Sequence, residues 1–187
     1  MKNLKLIALL VIPTLFTISC NNDDDNTPVN EEEVITTVTT TLTGGGQTIT
    51  LTSRDLDGEG PEAPTVTVSG NLVAGRTYTG STTFLNELAN PVDDITAEVQ
   101  EEGADHQLFY QLASSLGTVT YDDADVNGDP IGLEFTLVAG TSGSTGVLTI
   151  TLRHLPNKSA SGVSSGDITN AGGSTDVEVV FGIEVVD

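Results

Sequence analysis

From Val34 onward, threonine and β-branched residues crowd into short runs that turn residues interrupt every few positions. That pattern leaves little room for helices and directs the chain toward paired strands. Leu148, Ile150 and Leu152 alternate with Thr149, Thr151 and Arg153, the two-residue period of a strand with one face in a core. Val34–Leu42 and Thr48–Thr52 flank Gly44-Gly45-Gly46 as a hairpin. Further strands are predicted at Thr65–Ser69, Thr77–Leu85, His106–Leu112, Gly117–Tyr121, Leu133–Val138, Val147–His154 and Val177–Val186. One stretch departs from the pattern. Asp94–Glu102 sets Ile95 and Val99 four apart behind a capping aspartate and before Gly103, which predicts one to two helical turns. Pro156–Ser174 is rich in Ser, Gly and Asn and reads as a long loop. There is no internal repeat. The expected fold is all-β: a single Ig-like antiparallel β-sandwich over residues 34–187, large enough for a stable core without disulfides.

The residues before the sandwich read differently. Lys2 and Lys5 precede an apolar run from Leu6 to Phe16 and the small residue Ser19, which together form a secretory signal peptide over residues 1–19. The run is about half of the ~20 residues that a membrane span needs. Thr17-Ile18-Ser19-Cys20 resembles a bacterial lipobox, with Thr17 in place of the usual Leu. That resemblance implies that Cys20, the only cysteine, carries lipid and becomes the mature N-terminus. Several acyl chains at ~0.8 kcal/mol per buried methylene make such an anchor effectively permanent. Residues 20–33 are acidic and Asn-rich, with nothing to build a core, and read as a flexible tether. Asn21-Asn22-Asp23-Asp24-Asp25 resembles the acidic export signal of surface lipoproteins in gliding, polysaccharide-degrading Gram-negative bacteria. The expected location is the outer membrane, facing outward, with the periplasmic face as the alternative.

Charge narrows the partners. Once Lys2 and Lys5 leave with the signal, Arg54, Arg76, Arg153 and Lys158 face 27 acidic residues. Such a surface repels nucleic acid and anionic lipid and attracts cations. Tryptophan is absent, which argues against an aromatic platform for sugars or bases.

Two constellations could hold a cation. His106 opens a strand continuing through Leu108, Tyr110 and Leu112, and His154 closes the strand of Leu148, Ile150 and Leu152. If these strands run antiparallel, both imidazoles lie at one pole of the sandwich. There they could bind zinc or copper with carboxylates from Asp105, Glu98, Glu101 or Glu102. Otherwise each histidine merely caps a strand end. The second constellation is Asp123, Asp125, Asn127, Gly128 and Asp129, with Glu134 at position twelve, which fits the calcium-loop spacing D-x-[DN]-x-[DN]-G-x5-E. Strands rather than helices flank it, so an Asn127-Gly128 turn is the commoner explanation and calcium the less favoured cofactor. Asp55-Leu56-Asp57-Gly58-Glu59-Gly60 is a similar acidic loop. Nothing assembles a Ser-His-Asp set, a phosphate-binding glycine loop or a placed carboxylate pair, so no enzyme is expected.

Several stretches are similar to a family of small surface lipoproteins from the same bacteria: Glu31–Thr36, Asp55–Gly60, Asp94–Val99, His106–Tyr110, Leu152–Lys158 and Gly166–Gly173. Both histidines fall inside these segments. Members sometimes carry the label "type 1 periplasmic binding fold", which implies repeated βαβ units and long helices that this residue pattern lacks. The resemblance implies location and fold. The expected function is non-catalytic: binding of a ligand or metal ion, as an accessory to a TonB-dependent importer. The rival expectation is a structural or adhesive surface module with calcium-dependent loops.

Overall fold

A computed structural model describes residues 33–58 and 60–187; the signal peptide, Cys20 and the tether up to residue 32 lie outside the described residues. The strands are β1 (Thr37–Gly44), β2 (Gln47–Arg54), β3 (Thr65–Val68), β4 (Leu72–Val73), β5 (Thr77–Leu85), β6 (His106–Leu112), β7 (Gly117–Tyr121), β8 (Glu134–Ala139), β9 (Thr145–His154) and β10 (Ser174–Val186). Helix α1 (Ile95–Glu101) joins β5 to β6. One sheet has the order β3-β2-β1-β5-β8-β7 and the other β4-β10-β9-β6. The chain is an all-β sandwich with one short α-helix, as its residue pattern predicts.

Alternation builds the core between the sheets. On β5, Tyr78, Gly80, Thr82 and Phe84 point inward while Thr77, Thr79 and Thr83 face water. Phe135 and Leu137 of β8, Leu148, Ile150 and Leu152 of β9, and Phe181 of β10 meet them from neighbouring strands and the facing sheet. Gly80 has to be glycine because a Cβ there would stand 2.3 Å from the Phe135 ring. The buried hydroxyls of Thr40, Thr82 and Tyr110 satisfy one another, and Tyr110 also donates to the Gly132 carbonyl at 2.6 Å.

The predicted helix forms with Asp94 as its N-cap, its side chain accepting from the Thr96 amide. Ile95 and Val99 are its buried residues, and the Thr96 hydroxyl bonds both the N–H and the carbonyl of Phe84 on β5. The long loop after β9 packs on the outer face of its sheet. There Val163 and Ala171 cover Phe109, and the Gln107 side chain donates to the Val163 carbonyl at 2.8 Å.

An exposed ion pair ties β2 to the end of β5. Arg54 holds Glu87 through two bonds of 2.8 and 2.6 Å, and the Thr37 hydroxyl adds a third. The Arg54 guanidinium, then the Thr37 hydroxyl, lower the Glu87 carboxyl to a pKa of about 2. A carboxyl depressed in the folded state contributes stability above its unfolded pKa, and that contribution disappears as pH falls through the folded value. The Glu87 contribution should therefore be complete above pH ~4.5 and vanish toward pH ~2. Acid titrations of stability should show a shallower loss between these values for Glu87→Gln than for the wild type. Identical slopes would mean that the pair contributes nothing.

Candidate metal centre

Register places the two histidines face to face. β6 and β9 run antiparallel with His106 opposite His154, then Leu108 opposite Leu152, Tyr110 opposite Ile150 and Leu112 opposite Leu148. The histidines are thus the last rung of an inward-facing ladder whose other rungs are apolar. Their ring centroids are 4.8 Å apart. Beyond the rung, the Leu155 amide donates to the Asp105 carbonyl at 2.6 Å and closes the end of the strand pair. Leu155 itself sits at φ 51°, an uncommon conformation for a non-glycine residue. Gly173 passes so close that a Cβ would lie 2.1 Å from the His154 carbonyl oxygen.

The carboxylates come from elsewhere than the sequence suggested. On β10, Thr175 pairs with Arg153 and Val177 with Leu152, so Asp176 is an extra residue in a bulge. A bulge breaks the in-out alternation and can re-aim a side chain. Here it brings Asp176 inward with a fully buried side chain, 3.8 Å from His106 Nε2 and 3.9 Å from His154 Nδ1. Glu33 enters from the segment ahead of β1, its Oε1 3.1 Å from His106 Nε2. Ligand atoms of His106, His154 and Asp176 all lie within 4.8 Å of one another, and Glu33, Glu102 and His106 form a second such group.

The expected ligand list therefore changes. The structure brings His106 and His154 together, as the antiparallel expectation required, and retains Glu102 beside them. Asp105, Glu98 and Glu101 are exposed and belong to neither group among the described residues. Asp105 precedes an inward-facing residue, and consecutive strand side chains point to opposite faces. On α1, Ile95 and Val99 take the inward face, which turns Glu98 and Glu101 outward. Asp176 and Glu33 replace them. No alternation rule could reveal Asp176, because the bulge depends on pairing with β9, and Glu33 read as part of the tether.

Hydrogen bonding fixes the chemistry of the pocket. His106 Nδ1 lies 3.2 Å from the Glu102 carbonyl, which can only accept, so Nδ1 carries the proton. In the neutral ring, Nε2 then presents a lone pair toward Glu33 and Asp176. A metal-binding imidazole is commonly held this way, its outer N–H on a carbonyl and its inner nitrogen toward the ion. His106 is fully buried, and neither its Nε2, nor His154 Nδ1, nor Glu33 Oε2 makes an aligned hydrogen bond. A lone pair facing buried carboxylates is satisfied by a positive charge, either a proton on Nε2 or a metal ion.

The local field says the same. Burial opposes charging of His106, but the Glu33 carboxylate at 3.1 Å, the Glu102 carbonyl and the Asp176 charge outweigh it, so its pKa is raised. Burial and then the carboxylates of Glu33, Asp93 and Glu102 push up the Glu98 carboxyl nearby. Distances fit an ion as well. Four ligands around zinc at ~2.0–2.1 Å stand roughly 3.3–3.4 Å from one another. The separations of 3.8 and 3.9 Å from Asp176 to the two imidazoles lie about half an ångström above that value, while Glu33, 3.1 Å from His106, falls in a separate group and has to move further inward to join His154 and Asp176 around one ion.

The acidic loop at 123–134 is closed on itself. Asp123 accepts from the amides of Gly132, Leu133 and Glu134. Asp125 Oδ1 accepts from the amides of Asn127 and Asp129, and its Oδ2 takes a 2.9 Å bond from the Lys158 ammonium. Burial alone would raise the Asp125 carboxyl, but Lys158 and the two amides outweigh it and lower its pKa. Gly128 is left-handed at φ 89°, and its amide closes a turn onto the Asp125 carbonyl. Loop amides and a lysine thus engage the carboxylates of Asp123 and Asp125, two of the side chains in the calcium-like spacing. In the other acidic loop, Asp55 and Asp57 likewise accept from backbone amides, while Glu59 lies outside the described residues.

Comparison with family models, with curated proteins and with solved structures gives no match.

Proposed function

We propose that this chain is a non-catalytic outer-membrane lipoprotein whose β-sandwich holds one transition-metal ion at its histidine pole. In this reading it serves as a metal-carrying accessory to a TonB-dependent importer. The observation that carries the reading is the pairing of His106 and His154 on one rung, both with buried nitrogens that lack a hydrogen bond, beside Asp176 and Glu33. Two imidazoles and two carboxylates form a borderline-to-hard donor set that suits zinc. Copper(II) competes on general affinity, and without a thiolate or thioether the set offers nothing soft for copper(I). Four protein ligands leave no open position for a substrate, which matches a holding site rather than a catalytic one. Location rests on the lipobox-like segment at Cys20 and the acidic run behind it.

Metal analysis and calorimetry with zinc test the reading on the full chain in detergent. One zinc per chain is expected, and His154→Ala should weaken binding by at least about a hundredfold, since even the partners of ligands are worth 10–100-fold. Equal zinc affinity in wild type and His154→Ala would sink the proposal.

A further inference from the structure

Glu33 differs from the other residues of the pocket in what holds it there. From Thr36 onward the chain is fixed by its backbone. The Thr36 amide donates to the Leu85 carbonyl at 2.9 Å, and its own carbonyl accepts from Asp55 at 2.8 Å. Glu33, Val34 and Ile35 make no backbone hydrogen bond to another described residue. Ile35 packs against the core, Val34 is exposed, and the Glu33 carboxylate reaches into the histidine pocket, its side chain 9% exposed. His106 and His154 sit on strand ends and Asp176 in a bulge, so all three are placed by the sheet whether or not an ion is present. Glu33 is placed by its side chain.

From this contrast we infer that Glu33 is a detachable ligand, and that metal occupancy latches the segment entering the sandwich onto the histidine pole. The inference rests on the metal reading above. Without an ion, Glu33 is held at the pocket only by its 3.1 Å side-chain contact with His106 Nε2, beside the buried Asp176 carboxylate. With a divalent ion between them, the same carboxylate becomes a ligand and its charge is neutralised. His106, His154 and Asp176 form the fixed half of the site, and Glu33 closes it. Release of Glu33 uncovers the ion for transfer.

Limited proteolysis at Val34 and Ile35 with elastase, with zinc as the only added ion, tests the latch in the full-length chain in detergent. Zinc should slow cleavage at both positions by at least about tenfold in the wild type, because cleavage needs the detached segment and binding to the closed form reduces the open population. In Glu33→Gln, zinc should still bind through the three fixed ligands, more weakly than in wild type, and the protection at residues 34 and 35 should vanish. Protection of these positions by zinc in Glu33→Gln equal to that in wild type would overturn the latch while leaving the metal site standing. Zinc binding in the wild type with no protection at Val34 and Ile35 would do the same. Failure of the wild type to bind zinc at all would remove both the latch and the reading beneath it, and calorimetry on the same samples separates that result from the other two.

Discussion

Replacing Lys158 with methionine is expected to remove about 3–5 kcal/mol of stability, the usual consequence of taking one partner from a buried ion pair. Lys158 is buried, and its ammonium gives its three protons to acceptors in two other segments. It donates to the Gly103 carbonyl at 2.5 Å, the Pro130 carbonyl at 2.9 Å and Asp125 Oδ2 at 2.9 Å. The segment after α1, the 123–134 loop and the loop after β9 all converge on this one nitrogen. Methionine keeps much of the side-chain volume, so the loss isolates the polar contacts rather than a cavity. Left behind would be a buried carboxylate and two carbonyls without their donor. Adding Asp125→Asn should cost less in the Lys158→Met background than in the wild type, because the stranded charge is then gone. Urea titrations of the four proteins measure both effects. A loss below about 1 kcal/mol in Lys158→Met would place this contact with ordinary exposed pairs, whose median is ~0–1 kcal/mol.

Zinc is expected to raise the melting temperature of the wild-type chain by about 5–10 °C at a hundredfold excess over its dissociation constant. A ligand that binds only the folded state contributes ~2.7 kcal/mol at that excess, and each kcal/mol moves the midpoint of a domain this size by ~2–4 °C. The shift should be absent in His154→Ala and should shrink on acidification, since protons compete with the metal for imidazole. Magnesium at the same concentration should give no shift, because it prefers octahedral oxygen ligands and keeps most of its waters. Equal shifts with magnesium and zinc would point to general screening of the acidic surface instead of an ion at the histidine pole.

Much of the sandwich is local in origin and was therefore legible. Thr77–Leu85, His106–Leu112 and Gly117–Tyr121 occur as strands with the predicted bounds, and α1 begins behind its predicted cap Asp94. Alternation along a strand is a property of the backbone, so Leu148, Ile150 and Leu152 announce their inward face without any knowledge of neighbours. Long-range pairing had no such signal. β4 is only Leu72–Val73 and exists because it lies parallel to the end of β10. β10 starts at Ser174, ahead of the predicted Val177, because pairing with β9 continues past the bulge. The loop after β9 looked like a plain connection, yet Val163 and Ala171 build a small apolar cluster over Phe109.

The candidate site divides along the same line. His106 and His154 were placed at one pole from their phases at opposite ends of two strands, and antiparallel pairing makes them one rung. For the carboxylates, nearness in sequence was a poor guide. Asp105 adjoins His106 yet points away, whereas Asp176 lies 70 positions from it and turns in because β10 bulges there. Lys158 entered the sequence reading only as one of four cations, since nothing in its neighbours foretells that three loops will meet at its ammonium. By itself, the sequence determined the fold class, the inward face of each long strand and the histidine ends of β6 and β9, because backbone period and turn chemistry act over a few residues. Only the tertiary structure decided which carboxylates reach those histidines and which acidic loop is neutralised by lysine. Those choices depend on register, bulge and chain path, which are set by contacts between residues far apart in the chain.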